Sequence, residues 1–298
     1  MRGDGYAGYS GHIGTAVRRA NRLVGDARGC RGVGRVTGVH VEPYPRHRRA
    51  IVDAVRMGRR RNTVYGLLEF DVTLAREHLR AHAAATGQSL SFTAFLLGCY
   101  GRALAEHPEV HAYRDWRNRL VSFDTEDVTV LVETELDGRK VALPHVFRDV
   151  GARSVSDLDR EMQAVKRQPG ERLQHPLAPL FVRFPGVVRR QIYRLPRLSP
   201  RRWQRVAGSA ALTAVGMFGE GGGWGIGTSV HTVQLLVGGI AEKPGVVDGR
   251  IEPREYLSVT LAFDHDVVDG APAARFATRL ETLVESGYGL EARRSVPA

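Results

Sequence analysis

His265-Asp266-Val267-Val268-Asp269-Gly270 is the stretch of this 298-residue chain where residue type and spacing point to a reaction. An imidazole titrates near pH 6.5, so His265 can take a proton from a thiol or hydroxyl at neutral pH. Asp269, four residues on, can orient the loop or pair with a cation, and Gly270 permits a tight turn or close packing. The alternation of residues 256–263 reads as a strand running into His265. Ala273, Phe276, Ala277, Leu280 and Val284 then mark one face of a helix. His265 is therefore expected on a strand-to-helix turn, facing a cleft. The same spacing also suits a turn histidine followed by an aspartate that only stabilises a helix dipole. The hexapeptide alone leaves both readings open.

Other chemistries are excluded more simply. Cys30 and Cys99 are the only cysteines, without a CxxC or a His/Cys cluster, so no disulfide framework and no metal site are expected. The glycine cluster at 219–227 lacks the lysine and following helix of a phosphate loop. Residues 1–14 have no apolar signal core, and no window reaches the roughly 20 apolar residues of a membrane span. A cytoplasmic protein is expected. The net charge of +11 is concentrated early: residues 1–61 hold 14 Arg against 4 acids. Such an arm suits a polyanion or a solvated tail. No nucleic-acid motif accompanies it, so a solvated tail is the reading taken and no nucleic acid is expected.

The elements that must position His265 follow from periodicity and turn chemistry. Residues 1–40 form a basic Gly/Arg-rich extension, poorly ordered apart from a short helix near 15–24, and 41–298 form the folded domain. Helices are expected at 46–57, 74–85, 91–106 (capped by Ser91) and 154–165 (capped by Ser154 or Ser156). Strands are expected at 65–72, 120–122, 128–135, 140–147, 210–215, 232–240 and 256–263. Asp137-Gly138 and Asp248-Gly249 read as hairpin turns. Residues 167–205, rich in Arg and Pro, read as a surface helix and loop packed on their own domain, in preference to an amphipathic element meeting a membrane or an acidic partner. The irregular alternation implies an α/β fold: a two-layer sandwich with a mixed β-sheet and flanking helices.

Residues 246–250 and the run from Tyr256 to Ala271 closely resemble the catalytic domain of dihydrolipoamide acyltransferases. These are the acyltransferase components of 2-oxo acid dehydrogenase complexes, related in fold to chloramphenicol acetyltransferase. Arg48-Arg49-Ala50-Ile51, Phe70-Asp71-Val72-Thr73, Ser91-Phe92-Thr93-Ala94-Phe95, Pro108-Glu109-Val110-His111-Ala112 and the run from Leu212 to Gly219 extend the resemblance over about 41–288. It implies that 41–298 is an acyltransferase domain and that His265 is the general base toward the thiol of coenzyme A or dihydrolipoamide. It puts Thr213 where the family usually has a serine that donates to the tetrahedral oxyanion. It makes Asp269 a buried structural residue paired with Arg48 or Arg49. It also implies a homotrimer with His265 of one subunit facing Thr213 of the next.

Three departures are visible. Asp266 stands where the family commonly has arginine, which changes the charge beside His265. No lipoyl module fits before residue 41, so no lipoyl group is expected on this chain, and any lipoyl domain would come from another chain. The charged end Glu291-Ala292-Arg293-Arg294 lacks the apolar tail of cage-forming members, so trimers are not expected to join. The expected function is transfer of an acyl group from an acyl-CoA thioester, or an acyl-lipoyl group, to a thiol or other small acceptor. Coenzyme A enters as substrate, and no metal is involved. The alternative is a catalytically weak or silent paralogue acting as a binding or scaffold subunit.

Overall fold

The computed structural model describes residues 35–36, 39–40, 44, 46–136, 139–167, 184–214 and 221–290. The helix expected near 15–24, the turn at Asp137-Gly138 and the charged end from Glu291 lie outside them. Residues Met1–Pro45 and Arg46–Ala298 make two compact units. In the first, β1 (Arg35–Val36) pairs antiparallel with β2 (Val39–His40).

The second unit begins with α1 (Arg46–Gly58), β3 (Thr63–Asp71), α2 (Thr73–Thr86) and α3 (Phe92–Glu106). A small ladder of β4 (Tyr113–Arg114) with β5 (Leu120–Val121) leads to β6 (Val128–Leu136), β7 (Arg139–Phe147) and α4 (Val155–Arg167). After the short α5 (Gly186–Arg189), α6 (Leu195–Leu198) and α7 (Pro200–Ala207) come β8 (Ala210–Ala214), β9 (Val233–Val247), β10 (Arg250–Asp264) and α8 (Gly270–Glu285). Six strands form one sheet in the order β3-β10-β9-β8-β6-β7. The sheet is mixed: β8 runs parallel to both β6 and β9, and the other neighbours are antiparallel.

Local chemistry explains the element ends. The α2 helix stops at Gly87, whose left-handed φ of 70° lets its N–H bond Ala83 O at 2.9 Å. Ser154 caps α4: its Oγ accepts from the Asp157 N–H at 3.2 Å and donates to Asp157 Oδ2 at 2.7 Å. Ser91, expected to cap α3, makes no such bond; its hydroxyl faces Met162 Sδ at 3.8 Å, and Asp159 takes its N–H at 3.0 Å. The Asp248-Gly249 turn has φ of 49° and 78°, the pair of positive values a type I′ hairpin needs. Both flanking strands run further toward this turn than alternation implies. Pro244 and Pro253 sit opposite each other there, and Val246 and Ile251 are exposed, so the ribbon has no buried side to print a pattern.

The helices α2, α3, α4 and α8 cover one face of the sheet. Val130, Leu212, Leu235, Val237, Val259 and Leu261 point into a single core with Phe95, Leu158, Phe276 and Leu280. The opposite face is finished differently. The row Leu67, Thr260, Leu236 and Thr213 crosses it in register, under the glycine-rich segment that begins at Gly221. Gly223 bridges Gly239, Trp224 Nε1 donates to Leu68 O at 2.9 Å, and Tyr65 OH donates to Gly227 O at 3.1 Å. Gly238 and Gly239 meet the carbonyls of Gly223 and Gly221 so closely that a Cβ would collide with backbone. Gly238→Ala is therefore expected to cost at least the 1–3 kcal/mol usual for overpacking, read as a lowered urea midpoint with unchanged slope. An unchanged midpoint contradicts the close crossing.

Residues 184–207 pack on their own domain. Arg189 Nε and Arg190 Nη1 donate to the buried Asp53 of α1 at 2.8 and 3.2 Å. Asp53→Ala strands the buried Arg189 and is expected to cost about 3–5 kcal/mol, or on the order of 10 °C in Tm. Thermal melting checks this; a variant within a degree or two of wild type would show the pair to be dispensable.

Candidate active site

The strand β10 ends at Asp264, and the turn to α8 carries His265 clear of the sheet. The turn is held from below. Asp264 Oδ2 accepts from Arg61 Nη1 at 2.5 Å, and its Oδ1 accepts from the Asp266 N–H at 3.2 Å. The Asp264 N–H bonds Thr232 O at 2.8 Å, and the Asp264 carbonyl accepts from the N–H groups of Val267 and Val268, both at 3.0 Å. The His265 N–H donates to Asn62 O at 2.8 Å. Asn62 Nδ2 and Arg114 Nη2 donate to the two oxygens of Asp266 at 2.8 and 3.3 Å. The Asp266 carboxylate is thus occupied by an amide and a guanidinium.

On this clamp the His265 side chain is 49% exposed, and its ring nitrogens have no hydrogen-bond partner among the described residues. Its ionic neighbour is Asp269, with Nδ1 to Oδ1 at 4.0 Å, beyond hydrogen-bond length. Asp269 precedes the first turn of α8 in extended conformation, and its side chain is 85% exposed. The expected pairing with Arg48 or Arg49 is not made within the chain. Both arginines are exposed on α1, and the buried loop carboxylate that takes an arginine is Asp264, with Arg61. A residue at a helix start faces outward, whereas one at the end of a sheet strand is walled in by its neighbours.

Thr213 lies on β8, 8% exposed, and its hydroxyl has no partner among the described residues. It is level with Leu236 of β9 and thus with Thr260 of β10. His265 lies two strands across and five residues further along, which separates the two by more than about 15 Å within one chain. The structure therefore does not bring His265 and Thr213 together in a single subunit. It places Thr213 on the thinly covered sheet face, where Leu67, Leu131, Trp224 and Ile226 remain exposed.

Behind the clamp is a small buried aromatic cluster. Arg61 lies over the Tyr113 ring at 5.9 Å, Tyr113 OH donates to Ser209 O at 3.1 Å, and Trp203 Nε1 donates to Tyr113 OH at 3.1 Å. Burial pushes the Tyr113 phenol up to about 12. His231 Nε2 lies 2.6 Å from Ala207 O, and His111 Nδ1 lies 3.0 Å from Ser209 Oγ. Burial pushes both imidazoles down to about 4. Unfolded histidines titrate near 6.5, so below that pH the unfolded chain binds protons that the folded chain refuses. Stability from these two groups is complete above about pH 6.5 and is lost as pH falls toward 4. Tm is expected to be flat near neutrality and to fall through that window, less steeply in His111→Gln and His231→Gln variants. A flat Tm down to pH 5 would contradict their burial as neutral rings.

Arg61, Asn62, Arg114 and Asp264 are not apparent as site residues in the sequence. The one local hint is an arginine run, Arg59-Arg60-Arg61, directly before a strand. Among the described residues, no group of three or more His, Cys, Asp or Glu is placed to hold a metal.

Known proteins bear on this geometry as follows. The chain is 24% identical over 218 residues to a dihydrolipoyllysine-residue acetyltransferase component of the pyruvate dehydrogenase complex from Zymomonas mobilis, covering 73% of this chain and 42% of that one. It is 25% identical over 254 residues to the human mitochondrial dihydrolipoyllysine-residue succinyltransferase component of the 2-oxoglutarate dehydrogenase complex, covering 83% and 49%. The chain thus spans about half the length of the curated relatives it matches. Its fold is that of a probable dihydrolipoamide acetyltransferase from Listeria monocytogenes (TM-score 0.64, 18% identity, 88% of this chain and 99% of that one). It is equally that of the cubic core of the pyruvate dehydrogenase multienzyme complex (TM-score 0.63, 20% identity, 88% and 99%). Residues 37–174 and 197–290, which include the His265 turn, its clamp and Thr213, match the 2-oxoacid dehydrogenases acyltransferase catalytic domain, and the chain belongs to that family.

Proposed function

We propose that the chain transfers an acyl group from a thioester, of coenzyme A or of a lipoyl group on another chain, to a thiol or other small acceptor. His265 takes the proton of the attacking thiol. The thiolate adds to the thioester carbonyl, whose oxygen becomes an oxyanion and accepts a hydrogen bond from Thr213. Collapse breaks the original carbon–sulfur bond, and the leaving thiolate recovers the proton from His265. The observation that carries this reading is His265 itself: a half-exposed imidazole, free on its ring nitrogens among the described residues, on a turn fixed by the Arg61–Asp264 pair and the Asn62 carbonyl.

Because one chain holds His265 and Thr213 far apart, the site is completed by a second copy, and a closed ring of identical contacts completes every site. The thinly covered face around Thr213 gives such a copy an apolar surface to bury. A homotrimer of about 98 kDa, three times 32.8 kDa, is expected in sedimentation. An active monomer would rule out the shared site. The chemistry is tested by release of free thiol from an acyl-CoA in the presence of dihydrolipoamide or a panel of acceptors. Absence of turnover across the panel, with binding retained, would favour a scaffold role.

A further inference from the structure

Two strongly basic segments far apart in sequence meet at Asp53. Residues 46–61 and 184–207 together hold fourteen arginines and one acid, Asp53. The acid is buried where α1 meets the turns after Pro185, and it is consumed by Arg189 and Arg190. Arg61 is committed to Asp264. Ten of the others are exposed and without an ion pair among the described residues, among them Arg48, Arg56, Arg59, Arg201, Arg202 and Arg205. Trp203 shows which way α7 faces: it is buried against Tyr113, so the arginines on either side of it point outward.

The same segments expose bulky aliphatic side chains beside the arginines. Ile51 and Val55 lie one turn apart on α1, in a stripe that begins at Arg48 and ends at Arg59. Val187, Val188, Leu198 and Val206 are exposed on the short turns between and beside the arginines. The charge is of one sign, the aliphatic groups are scattered, and the supporting turns are broken by Pro185, Pro196 and Pro200.

We propose that these two segments dock on an anionic phospholipid bilayer surface. Guanidinium groups pair with headgroup phosphates, and the aliphatic side chains insert between headgroups. A folded acidic protein fits less well: it would need a register of matched charges, and these two segments expose no acid to set one. A fluid sheet of phosphates over an apolar interior needs no register and takes both features at once. The inference is independent of the acyltransfer reading.

Flotation of the full chain with vesicles tests it. Vesicles of phosphatidylcholine with phosphatidylglycerol are expected to bind at least tenfold more tightly, to order of magnitude, than phosphatidylcholine alone, and less tightly as salt rises. Replacing Arg201, Arg202 and Arg205 together by serine is expected to weaken binding about a hundredfold, at roughly a factor of five per arginine. Their side chains carry no ion pair among the described residues, so Tm is expected to be unchanged. If the triple variant does melt lower, Arg56→Ser with Arg59→Ser asks the same question of α1, and about 25-fold weaker binding is expected. Equal binding to neutral and anionic vesicles overturns the proposal. So does a folded variant that binds as wild type, or a chain that prefers duplex DNA or an acidic protein to the anionic vesicles.

Discussion

His265→Ala is expected to lower turnover by about 10²–10⁴, the usual worth of a positioned general base, with Tm unchanged. The reason lies in how the turn is held. The hydrogen bonds that fix it come from the His265 main chain, from Asp264 and from Asp266. The imidazole makes no hydrogen bond among the described residues and is half exposed. Removing it should leave the clamp standing and take away only the proton acceptor. Initial rates of thiol release against acyl-CoA, together with a thermal melt, separate the two effects. If the variant turns over as fast as the wild type, the proposed base is wrong, whatever the fold resembles.

Thr213→Val is expected to cost about 10²–10³ in turnover, the range for a lost oxyanion donor, while Thr213→Ser retains most of it. Valine nearly keeps the volume on β8 and removes the hydroxyl, which has no partner among the described residues. No folded-state hydrogen bond to those residues is lost, so stability should hold. A Val variant as active as the wild type would send the search to another donor. The two variants also test the shared site against each other. In trimers mixed at random from His265→Ala and Thr213→Val subunits, about a quarter of the interfaces pair an intact His265 with an intact Thr213. Activity well above that of either parent is expected. No recovery on mixing would place both groups of a site in one subunit, against the register of β8 and β10.

The turn itself is legible in the sequence because two periodicities meet there: alternation up to Phe263, then helical spacing from Ala273. The helices α2, α3, α4 and α8 are legible for the same reason, since each buries one stripe or its whole circumference. The clamp is not legible. Arg61, Asn62 and Arg114 lie 203, 204 and 152 residues from the carboxylates they hold, and no local pattern encodes such a pairing. The expectation of a buried Asp269 comes from the family resemblance, and within one chain it is Asp264 that is buried, because burial depends on how strand and helix ends meet. The outer halves of β9 and β10 escape notice because their prolines and exposed valine and isoleucine erase the alternation on which a strand is recognised.

The length of the clamp also bears on how the protein is made. Arg61 and Asn62 come from the turn directly before the first strand of the large unit, and Asp264 from the end of the strand beside it, with almost the whole intervening chain as the loop to be closed. A loop so long is closed late, because its entropy is recovered only when the contacts at both ends form together. During synthesis the His265 turn cannot be set until β10 has emerged and β3 has docked along its full length. In refolding, enzymatic activity should therefore never lead the recovery of sheet signal, and helices α2 and α3 can form well before any catalysis returns.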